Sequence, residues 1–370
     1  MKTIIHTNLP SPYRVDFFNS LSAFCDLTVV YERKKAKNRN DNWYGKKEKK
    51  FREQYLKGIL YGDEQSFSFG LFPKISSDVY DVRVLGGYSS LTDIIAIFLL
   101  KIFRKRYILD IDGAIAHSDS KIKRKLKSFL IKGAVGYMST SSITDEYLIR
   151  YGADPKRIYR YHFTSLYENE LQKSVLTQEE KSVFKEKVGI KEEKAFIAVG
   201  SYIHRKGFDI LLAASANLPK DVGIYIIGGE PTQEYINLKA SLRLDNVHFV
   251  QHLTKEELAD YYKAADLCVF PTRYDIWGLI VVEALGYGLP VLTTDQCVAG
   301  LELIKDGYNG FIVPANDSIA LGKKMTEILE TGWLCEQINK NVIASIENYT
   351  IENMVQEYYE VFTCFIGRDI

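Results

Sequence analysis

Residues 271–291 read Pro-Thr-Arg-Tyr-Asp275-Ile-Trp-Gly278-Leu-Ile-Val-Val-Glu283-Ala-Leu-Gly-Tyr-Gly288-Leu-Pro290-Val, and an apolar run at 267–270 leads into them. The pattern predicts a strand, a polar loop that carries Asp275, and an apolar helix that begins at Gly278 and has Glu283 on its second turn. Gly288 and Pro290 end that helix before a second strand. Two carboxylates therefore lie near the carboxyl end of a parallel strand, where open α/β sheets bind ligands, and the helix start offers N–H groups suited to phosphate.

Short apolar strands alternate with amphipathic helical stretches along the whole chain, which predicts parallel sheets covered on both faces. In the first half, strands are predicted near 2–7, 26–31, 81–85, 106–111, 134–139 and 157–162, and helices near 12–23, 91–104, 119–132 and 142–151. In the second half, strands are predicted near 195–200, 223–228, 247–250, 267–270, 290–294 and 311–313. The polar, basic segment 33–57 has little apolar periodicity and is predicted to be an extended loop.

The chain has 370 residues, which is long for one hydrophobic core and suits two. The stretch 164–194 is rich in Glu, Lys and Ser, so the domain boundary is predicted there. We therefore predict an α/β protein with a first domain at 1–165, a linker region at 166–194, a second domain at 195–350 and a C-terminal helix at 351–370.

The second domain opens with a strand that ends at Gly200, followed by a loop with two adjacent cations, Arg205 and Lys206, before a helix. A guanidinium fork and an ammonium point charge both bind phosphate oxygens, so the loop predicts a diphosphate site. The alternative is a basic helix start exposed to water, which the helix dipole would disfavour.

These motifs resemble the acidic-x7-Glu signature and the phosphate loop of the retaining glycosyltransferases of family 4, which have the GT-B fold. The resemblance covers 196–330 well and the first half loosely. It implies that Glu283 holds the ribose of a sugar nucleotide and that Asp275, which replaces the usual Glu, lies near the sugar hydroxyls. Lys206 falls on the family lysine, and Arg205 substitutes for the arginine that the family has where this chain has Ser201. The alternative for Glu283 is a helix-face carboxylate paired with a nearby lysine.

The resemblance also implies a wider set of residues and an architecture. The architecture is two Rossmann-like domains that face a central cleft, with the C-terminal helix crossing back to the first domain. The first domain would bind the acceptor and the second the nucleotide sugar. The implied donor-binding residues are Gly200, Ser201, Arg205, Lys206, Gly229, Val250, His252, Asp275, Ile276, Trp277, Gly278, Leu279 and Glu283.

Two loops of the first half are candidates for the acceptor side. The loop after the first strand has no glycine, which argues against a dinucleotide-binding oxidoreductase. Ser11 and Arg14 of this loop are candidate acceptor-side contacts. The alternative is that the two prolines of the loop only fix a tight turn. Asp112 and His117 follow another strand and complete the candidate catalytic set with Asp275, Glu283, Arg205 and Lys206. The Asp-x-Asp pattern at 110–112 is also a metal motif of another glycosyltransferase fold. One of its two carboxylates could equally be buried and hydrogen-bonded, because both share one strand face. We predict no metal.

Charge is distributed unevenly between the halves. Residues 1–165 contain 29 Lys+Arg against 17 Asp+Glu, a net +12, while the remainder carries −11. This asymmetry predicts an anionic partner for the first half. The stretch 121–132 is a basic amphipathic helix that could lie on anionic lipid or simply present a solvated outer face. Its candidate membrane residues are Lys121, Lys123, Arg124, Lys125 and Lys127.

Other features narrow the setting. Five cysteines occur singly, without zinc-type spacing, which favours a reducing compartment. The short apolar start of the chain is predicted to be a first strand and not a signal peptide. The longest apolar run, at 94–100, is too short to span a bilayer.

The predicted function is sugar transfer from a nucleotide-diphosphate sugar, with UDP favoured, and with retention of configuration. The resemblance implies a hexosyltransferase of bacterial surface polysaccharide synthesis (capsule or lipopolysaccharide) that needs no cofactor or metal. The acceptor would be a glycan or an undecaprenyl-diphosphate-linked sugar at the cytoplasmic, inner face of the plasma membrane. The alternatives are a GT-B sugar-nucleotide epimerase or hydrolase, and a nucleic-acid-binding protein that uses the basic half, although we predict no nucleic-acid partner.

Overall fold

The chain divides into two compact units in the computed structural model, which describes residues 1–35, 48–61 and 65–366. Unit 1 comprises Met1–Ser165 together with Thr350–Ile370, and unit 2 comprises Leu166–Tyr349. Of the helices in the part of the chain that the structure describes, none combines the length and apolar character that crossing a membrane requires.

Unit 1 is built on a seven-stranded parallel sheet with the order β3-β2-β1-β6-β7-β8-β9. Its strands are β1 (Lys2–Thr7), β2 (Asp26–Tyr31), β3 (Arg52–Tyr55), β6 (Val82–Gly86), β7 (Ile108–Ile111), β8 (Gly136–Ser139) and β9 (Ile158–Arg160), and an antiparallel pair is formed by β4 (Ile59–Tyr61) and β5 (Gln65–Phe67). Its helices are α1 (Pro12–Leu21), α2 (Leu71–Ile75), α3 (Leu91–Ile102), α4 (Lys121–Ile131), α5 (Ser142–Arg150) and α14 (Ile351–Ile366).

Unit 2 is built on a six-stranded parallel sheet with the order β12-β11-β10-β13-β14-β15. Its strands are β10 (Lys194–Val199), β11 (Val222–Ile227), β12 (Val247–Val250), β13 (Leu267–Phe270), β14 (Val291–Thr294) and β15 (Gly310–Val313). Its helices are α6 (Gln178–Val188), α7 (Phe208–Ser215), α8 (Gln233–Ser241), α9 (Lys255–Ala264), α10 (Leu279–Gly286), α11 (Val298–Leu303), α12 (Ser318–Glu330) and α13 (Glu336–Ala344).

The central strands are buried along their whole length because helices cover both faces of each sheet. Every residue of β11, β13 and β14 is buried, as is every residue of β7 and β8 in unit 1. In α3, the start is fixed by a capping box in which Ser90 and Asp93 satisfy each other's backbone N–H groups. The two predicted Rossmann-like sheets are therefore confirmed.

The C-terminal helix α14 belongs to unit 1, although it follows unit 2 in the chain. Its Tyr358 ring packs against Phe17 of α1 at a centroid distance of 4.7 Å. Its Glu357 accepts a hydrogen bond from the backbone N–H of His162 at 2.8 Å. Apolar and polar contacts together hold the last described segment of the chain on the first sheet.

Two predictions about segments differ from the structure. Within the predicted 33–57 loop, residues 52–55 form the edge strand β3. Polar side chains are tolerated in this strand because an edge strand is covered less than a central one. Residues 36–47 of the predicted loop lie outside the described residues. The predicted linker 166–194 belongs to unit 2, because Lys181 of α6 bonds the buried Asp266 at 2.7 Å and packs that helix on the unit.

The glycine at the end of β11 gives a test of how closely the strand ends of unit 2 pack. A Cβ on Gly228 would lie 1.7 Å from the carbonyl oxygen of Gly200, so Gly228→Ala must displace backbone and should destabilise the protein by about 3 kcal/mol. In the control, Gly189→Ala, the backbone has φ +76 but the Cβ meets nothing within 4 Å, so the cost should be about 1 kcal/mol. Thermal denaturation measures both, and equal melting temperatures would contradict the close approach.

Candidate functional site

Two loops meet at the carboxyl edge of the unit 2 sheet. The first follows β10 and includes 200–207, and the second follows the neighbouring parallel strand β13 and includes 271–278. The backbone N–H of Arg273 donates to the carbonyl of Arg205 at 2.8 Å, and the Thr272 hydroxyl donates to the same carbonyl at 3.0 Å. Arg273 also forms a two-pronged ion pair with Asp209 at 2.8 and 2.6 Å. These bonds tie the predicted phosphate loop to the loop of the acidic motif.

Asp275, Arg205 and Lys206 form an ion triad at this junction. One carboxylate oxygen, Oδ2 of Asp275, accepts from Nη1 of Arg205 and from Nζ of Lys206, each at 2.8 Å. The side chains of Asp275 and Lys206 are only 11% and 13% exposed, so solvent screens the contact weakly. The sequence predicted all three residues, and the structure brings them together as ionic partners.

Burial and charge act in opposite directions on these groups. Burial by itself raises the pKa of Asp275, but Lys206 and Arg205 outweigh it and hold that pKa below its ordinary value. Burial lowers the pKa of Lys206, and the carboxylate of Asp275 only partly offsets that effect. A further anion near Lys206 would stabilise its charged form.

Gly207 allows the two loops to approach. It has φ +70, and a Cβ there would lie 2.0 Å from the carbonyl oxygen of Pro271. Any other residue would combine a strained backbone with a backbone clash. The glycine after the two cations is therefore required by the contact between loops.

Glu283 lies on α10 and is half-buried. The hydroxyl of Tyr262, from α9, donates to Oε2 of Glu283 at 3.1 Å. Burial, with the nearby Glu283 carboxylate, raises the pKa of Tyr262 well above its ordinary value, so the phenol stays a proton donor. Tyr262 positions Glu283, and nothing in the motif signalled it because it lies on another helix.

The other predicted donor residues have mixed settings within unit 2. Gly229 lies in the turn after β11, Val250 ends β12, and His252 is exposed on the loop that follows. Trp277 is 2% exposed, so its side chain packs in the core. Half-buried residues of the same predicted set are Gly200, Ser201 and Leu279; Gly278 is buried, and Ile276 is 58% exposed.

A second charged cluster lies in unit 1, after strand β7. Arg14 and Asp112 form a short ion pair, with Arg14 only 6% exposed and its guanidinium 4.7 Å from the centre of the Phe163 ring. Burial by itself would lower the pKa of Arg14, but Asp112 and neighbouring groups raise it well above its ordinary value. The structure thus pairs two of the predicted acceptor-side residues, Arg14 and Asp112, with each other.

Asp110 completes this cluster and was not among the predicted site residues. Its carboxylate accepts from the Tyr358 hydroxyl at 2.7 Å and from the Tyr161 hydroxyl at 3.1 Å. Burial, aided by repulsion from Asp112, raises the pKa of Asp110 to about 7. The buried, hydrogen-bonded carboxylate that the sequence left open is therefore Asp110.

The remaining predicted acceptor residues differ in exposure. His117 is exposed on the loop between β7 and α4, so it is available to solvent. Ser11 is 5% exposed and caps α1 by position, without a side-chain cap bond.

Within the described residues, one group has the composition of a metal site. His6, Glu32 and Asp93 are buried in unit 1, and their donor atoms lie within 4.8 Å of one another. Nδ1 of His6 is 3.0 Å from Asp93, whereas its other nitrogen, Nε2, faces Glu32 at 3.9 Å. The two carboxylates therefore face different nitrogens of one imidazole, and only one of these nitrogens could ligate a given ion.

The predicted membrane helix α4 has an exposed basic face. Lys121, Lys123, Arg124 and Lys125 are exposed, but Lys127 bonds Asp119 at 2.8 Å and is 18% exposed, which corrects its assignment to the outer face. Ile122, Leu126 and Phe129 are exposed on the same helix, at 83%, 48% and 44%.

A family of known proteins matches the chain within unit 2. Residues 180–344 match the family described as Glycosyl transferases group 1. The lipopolysaccharide glucosyltransferase WaaG of Escherichia coli K12 is 29% identical over 153 residues, which is 40% of this chain and 38% of that protein. The O-antigen chain mannosyltransferase C of Escherichia coli is 28% identical over 180 residues, 46% of this chain and 47% of that protein. The chain spans about half or less of the length of the curated relatives it matches.

Solved structures resemble the chain over nearly its full length. The crystal structure of Anabaena Alr3699/HepE in complex with UDP has a TM-score of 0.78 at 15% identity, covering 98% of this chain and 100% of that one. The two parallel sheets and this likeness confirm the GT-B fold predicted from the sequence.

The ion triad predicts a specific dependence of stability on pH. Asp275→Asn should lower the free energy of unfolding by about 3 kcal/mol at pH 7, because Lys206 would keep a buried charge without its counter-ion. The pKa of Asp275 is lowered on folding, so its contribution is present above about pH 4 and is lost as the pH falls through the folded value.

Thermal denaturation of both proteins between pH 7 and pH 3 measures this difference, which should shrink at the acid end. The control is Glu168→Gln, at an exposed pair with Lys173, which should change the melting temperature little. A difference between wild type and Asp275→Asn that stayed constant with pH would contradict the assignment.

Proposed function

We propose that this protein is a retaining glycosyltransferase that uses a nucleotide-diphosphate sugar, with UDP as the favoured nucleotide. The observation that carries the proposal is the ion triad, in which Arg205 and Lys206 are held at the carboxyl edge of unit 2 by one oxygen of Asp275. The match of 180–344 to the glycosyltransferase family, and the likeness of the fold to a structure holding UDP, support it.

The triad prepares the site for a diphosphate. Asp275 fixes both cations, so little reorganisation is needed when negative charge develops on the departing nucleotide. Lys206 has its pKa lowered, chiefly by burial, and an incoming phosphate would stabilise its charged form. Arg205, at 28% side-chain exposure, is the more accessible of the two cations.

Glu283 would hold the ribose of the donor. A ribose offers paired hydroxyl donors, and a carboxylate accepts two hydrogen bonds. The Tyr262 hydroxyl bonds one oxygen of Glu283, Oε2, at 3.1 Å and fixes the carboxylate in place. Asp275 would act mainly by positioning Arg205 and Lys206. It would also lie near the sugar hydroxyls, as the family resemblance implies.

On the acceptor side, Asp112 and His117 are our candidates in unit 1. The proposed acceptor is a glycan or a lipid-linked sugar of bacterial surface polysaccharide, since relatives act in lipopolysaccharide and O-antigen synthesis. We propose hexosyl transfer without a metal, because the two cations of the triad supply the positive charge that a metal would otherwise provide. The alternative, a sugar-nucleotide epimerase or hydrolase, would convert the donor without any acceptor.

Removing either of two donor-side groups should abolish transfer without unfolding the protein. Lys206→Ala and Glu283→Ala are each expected to lower turnover by on the order of a hundredfold or more, because a fixed charge or ribose contact is lost. The assay follows both the sugar nucleotide and the nucleoside diphosphate, for UDP-, GDP- and TDP-sugars, with and without a bacterial glycan acceptor. The matched control is Lys220→Ala, at an exposed lysine of unit 2.

Two outcomes of this assay would go against the proposal. Near wild-type turnover in both site variants would refute the site. Rapid donor conversion without acceptor would favour the epimerase or hydrolase.

We further propose that unit 1 docks on the inner, cytoplasmic face of an anionic membrane through α3 and α4. Phe98 of α3 is 48% exposed and its ring is 6.0 Å from that of Phe129 of α4. Ile102 and Phe103, at 56% and 57% exposure, extend the apolar surface beyond α4. Exposed cations on α4 flank it, and this combination suits a lipid interface better than a solvated helix face.

Charge removal on α4 should weaken vesicle binding. Arg124→Gln with Lys125→Gln should lower affinity for vesicles of phosphatidylglycerol and phosphatidylcholine by about 30-fold, at roughly 1 kcal/mol per cation near the surface. The matched control, Lys156→Gln with Arg157→Gln, removes two exposed cations elsewhere in unit 1 and should have little effect. Flotation of vesicles measures both, and equal losses, or equal binding to pure phosphatidylcholine, would contradict docking through α4.

A further inference from the structure

Unit 2 has a pocket of about 380 Å³ at the edge of its sheet opposite to the ion triad. Its walls include Lys194, where β10 begins, Asp266, immediately before β13, and Leu289, shortly before β14. Lys206 and Asp275 follow the other ends of the first two strands. Because β10 has six residues, the two edges are about 20 Å apart. The pocket is therefore separate from the proposed donor site.

The charges of this pocket are unbalanced. Its carboxylate, Asp266, is already bonded by Lys181 at 2.7 Å and approached by Lys185 at 3.5 Å. The other acidic wall residue, Glu336, pairs with Lys340 at 2.6 Å. Among the described residues, no carboxylate lies within ion-pair distance of the two remaining wall lysines, Lys194 and Lys263.

Lys194 and Lys263 therefore leave a net positive wall. Lys194 is close enough to Lys181 to help lower the pKa of Lys181, although burial is the larger cause. This repulsion between lysines is the kind that a bound anion relieves. The ammonium of Lys263 lies over the rings of Phe184 and Tyr287, at 5.3 and 5.7 Å from their centres, which fixes its position.

The rest of the wall combines apolar and neutral polar groups. Tyr287 stacks on Tyr262 with ring centres 5.5 Å apart and planes 14° apart, and Leu176, Leu289 and Leu334 add apolar surface. The neutral polar side chains of the wall are Gln172, Ser174, Thr177, Gln178 and Asn339. A pocket of this size and composition takes a small organic molecule, with its polar groups fixed by a few charges. The cations select an anionic group, and the apolar wall selects an organic body attached to it.

We propose that this pocket binds a small phosphate monoester, with its phosphate between Lys194 and Lys263 and its organic part against Tyr287 and Leu289. Lysine ammoniums serve as point charges for phosphate, and two of them without carboxylate partners suit a dianion. Tyr262 lines this pocket and also bonds Glu283, so one residue touches both the pocket and the proposed donor-binding helix.

A cysteine in the pocket wall allows binding at this site to be measured by alkylation. Cys335 lines the pocket and is exposed, whereas Cys364, also exposed, lies on α14 in unit 1. Ribose 5-phosphate is the probe, and neutral ribose is its control. The rate of iodoacetamide alkylation at each cysteine, followed by mass spectrometry, should fall at Cys335 with ribose 5-phosphate and stay unchanged at Cys364.

Variants separate this site from the donor site. Protection of Cys335 should persist in Lys206→Ala, and the concentration of ribose 5-phosphate needed should rise about tenfold or more in Lys194→Gln with Lys263→Gln. The surface control Lys220→Gln should behave as wild type, and melting temperatures establish that the variants fold. Equal protection by ribose, protection that disappears in Lys206→Ala, or protection that survives the double substitution would each overturn the proposal.

Discussion

The shared oxygen of Asp275 is the contact on which the organisation of unit 2 depends. It accepts from Arg205 and Lys206, which follow one strand, while Asp275 follows the neighbouring strand. Two cations that would repel each other are thereby held side by side in a partly buried place, and the loops that carry them are locked by backbone bonds. The short Asp side chain at position 275 fits this geometry, because it keeps the carboxylate close to the cations. The charged groups of the site are fixed by bonds within the protein, as electrostatic preorganisation requires.

Unit 1 uses the same physical device with different residues. Asp112 pairs with Arg14, and Asp110 accepts hydrogen bonds from Tyr161 and from Tyr358 of the C-terminal helix. Segments far apart in the chain are joined through buried charges whose hydrogen bonds are satisfied. Because the C-terminal helix contributes to this cluster, the surroundings of Asp112 depend on residues after position 350 as well as on the first sheet.

The two proposed sites of unit 2 lie at opposite edges of one sheet. The carboxyl edge carries the ion triad, and the amino edge carries the lysine-lined pocket. Tyr262 reaches from the pocket to Glu283, which gives a physical connection between the two edges. In unit 1, exposed aromatic residues of α3 add an apolar surface to the basic face of α4. The sequence predicted a lipid-binding role for α4 but not for the apolar residues of α3. Those residues look like core residues until their neighbours in the fold are known.

The sequence alone determined the two-sheet α/β architecture, since buried parallel strands must be apolar and their helices amphipathic. It also predicted the places of four charged residues in the fold, because strand ends and glycines mark the loops there. Arg205 and Lys206 follow one strand, Asp275 lies on a loop after another, and Glu283 lies on the helix after that loop. It did not determine that Asp275 binds the two cations, that Arg14 pairs with Asp112, or that Tyr262 and Asp110 belong to the sites. Three of those contacts join residues that are 69 to 248 positions apart in the chain. The fourth, between Tyr262 and Glu283, joins two helices whose packing no local pattern encodes. Only the tertiary structure decides them, because a side chain's partner depends on which elements become neighbours after folding.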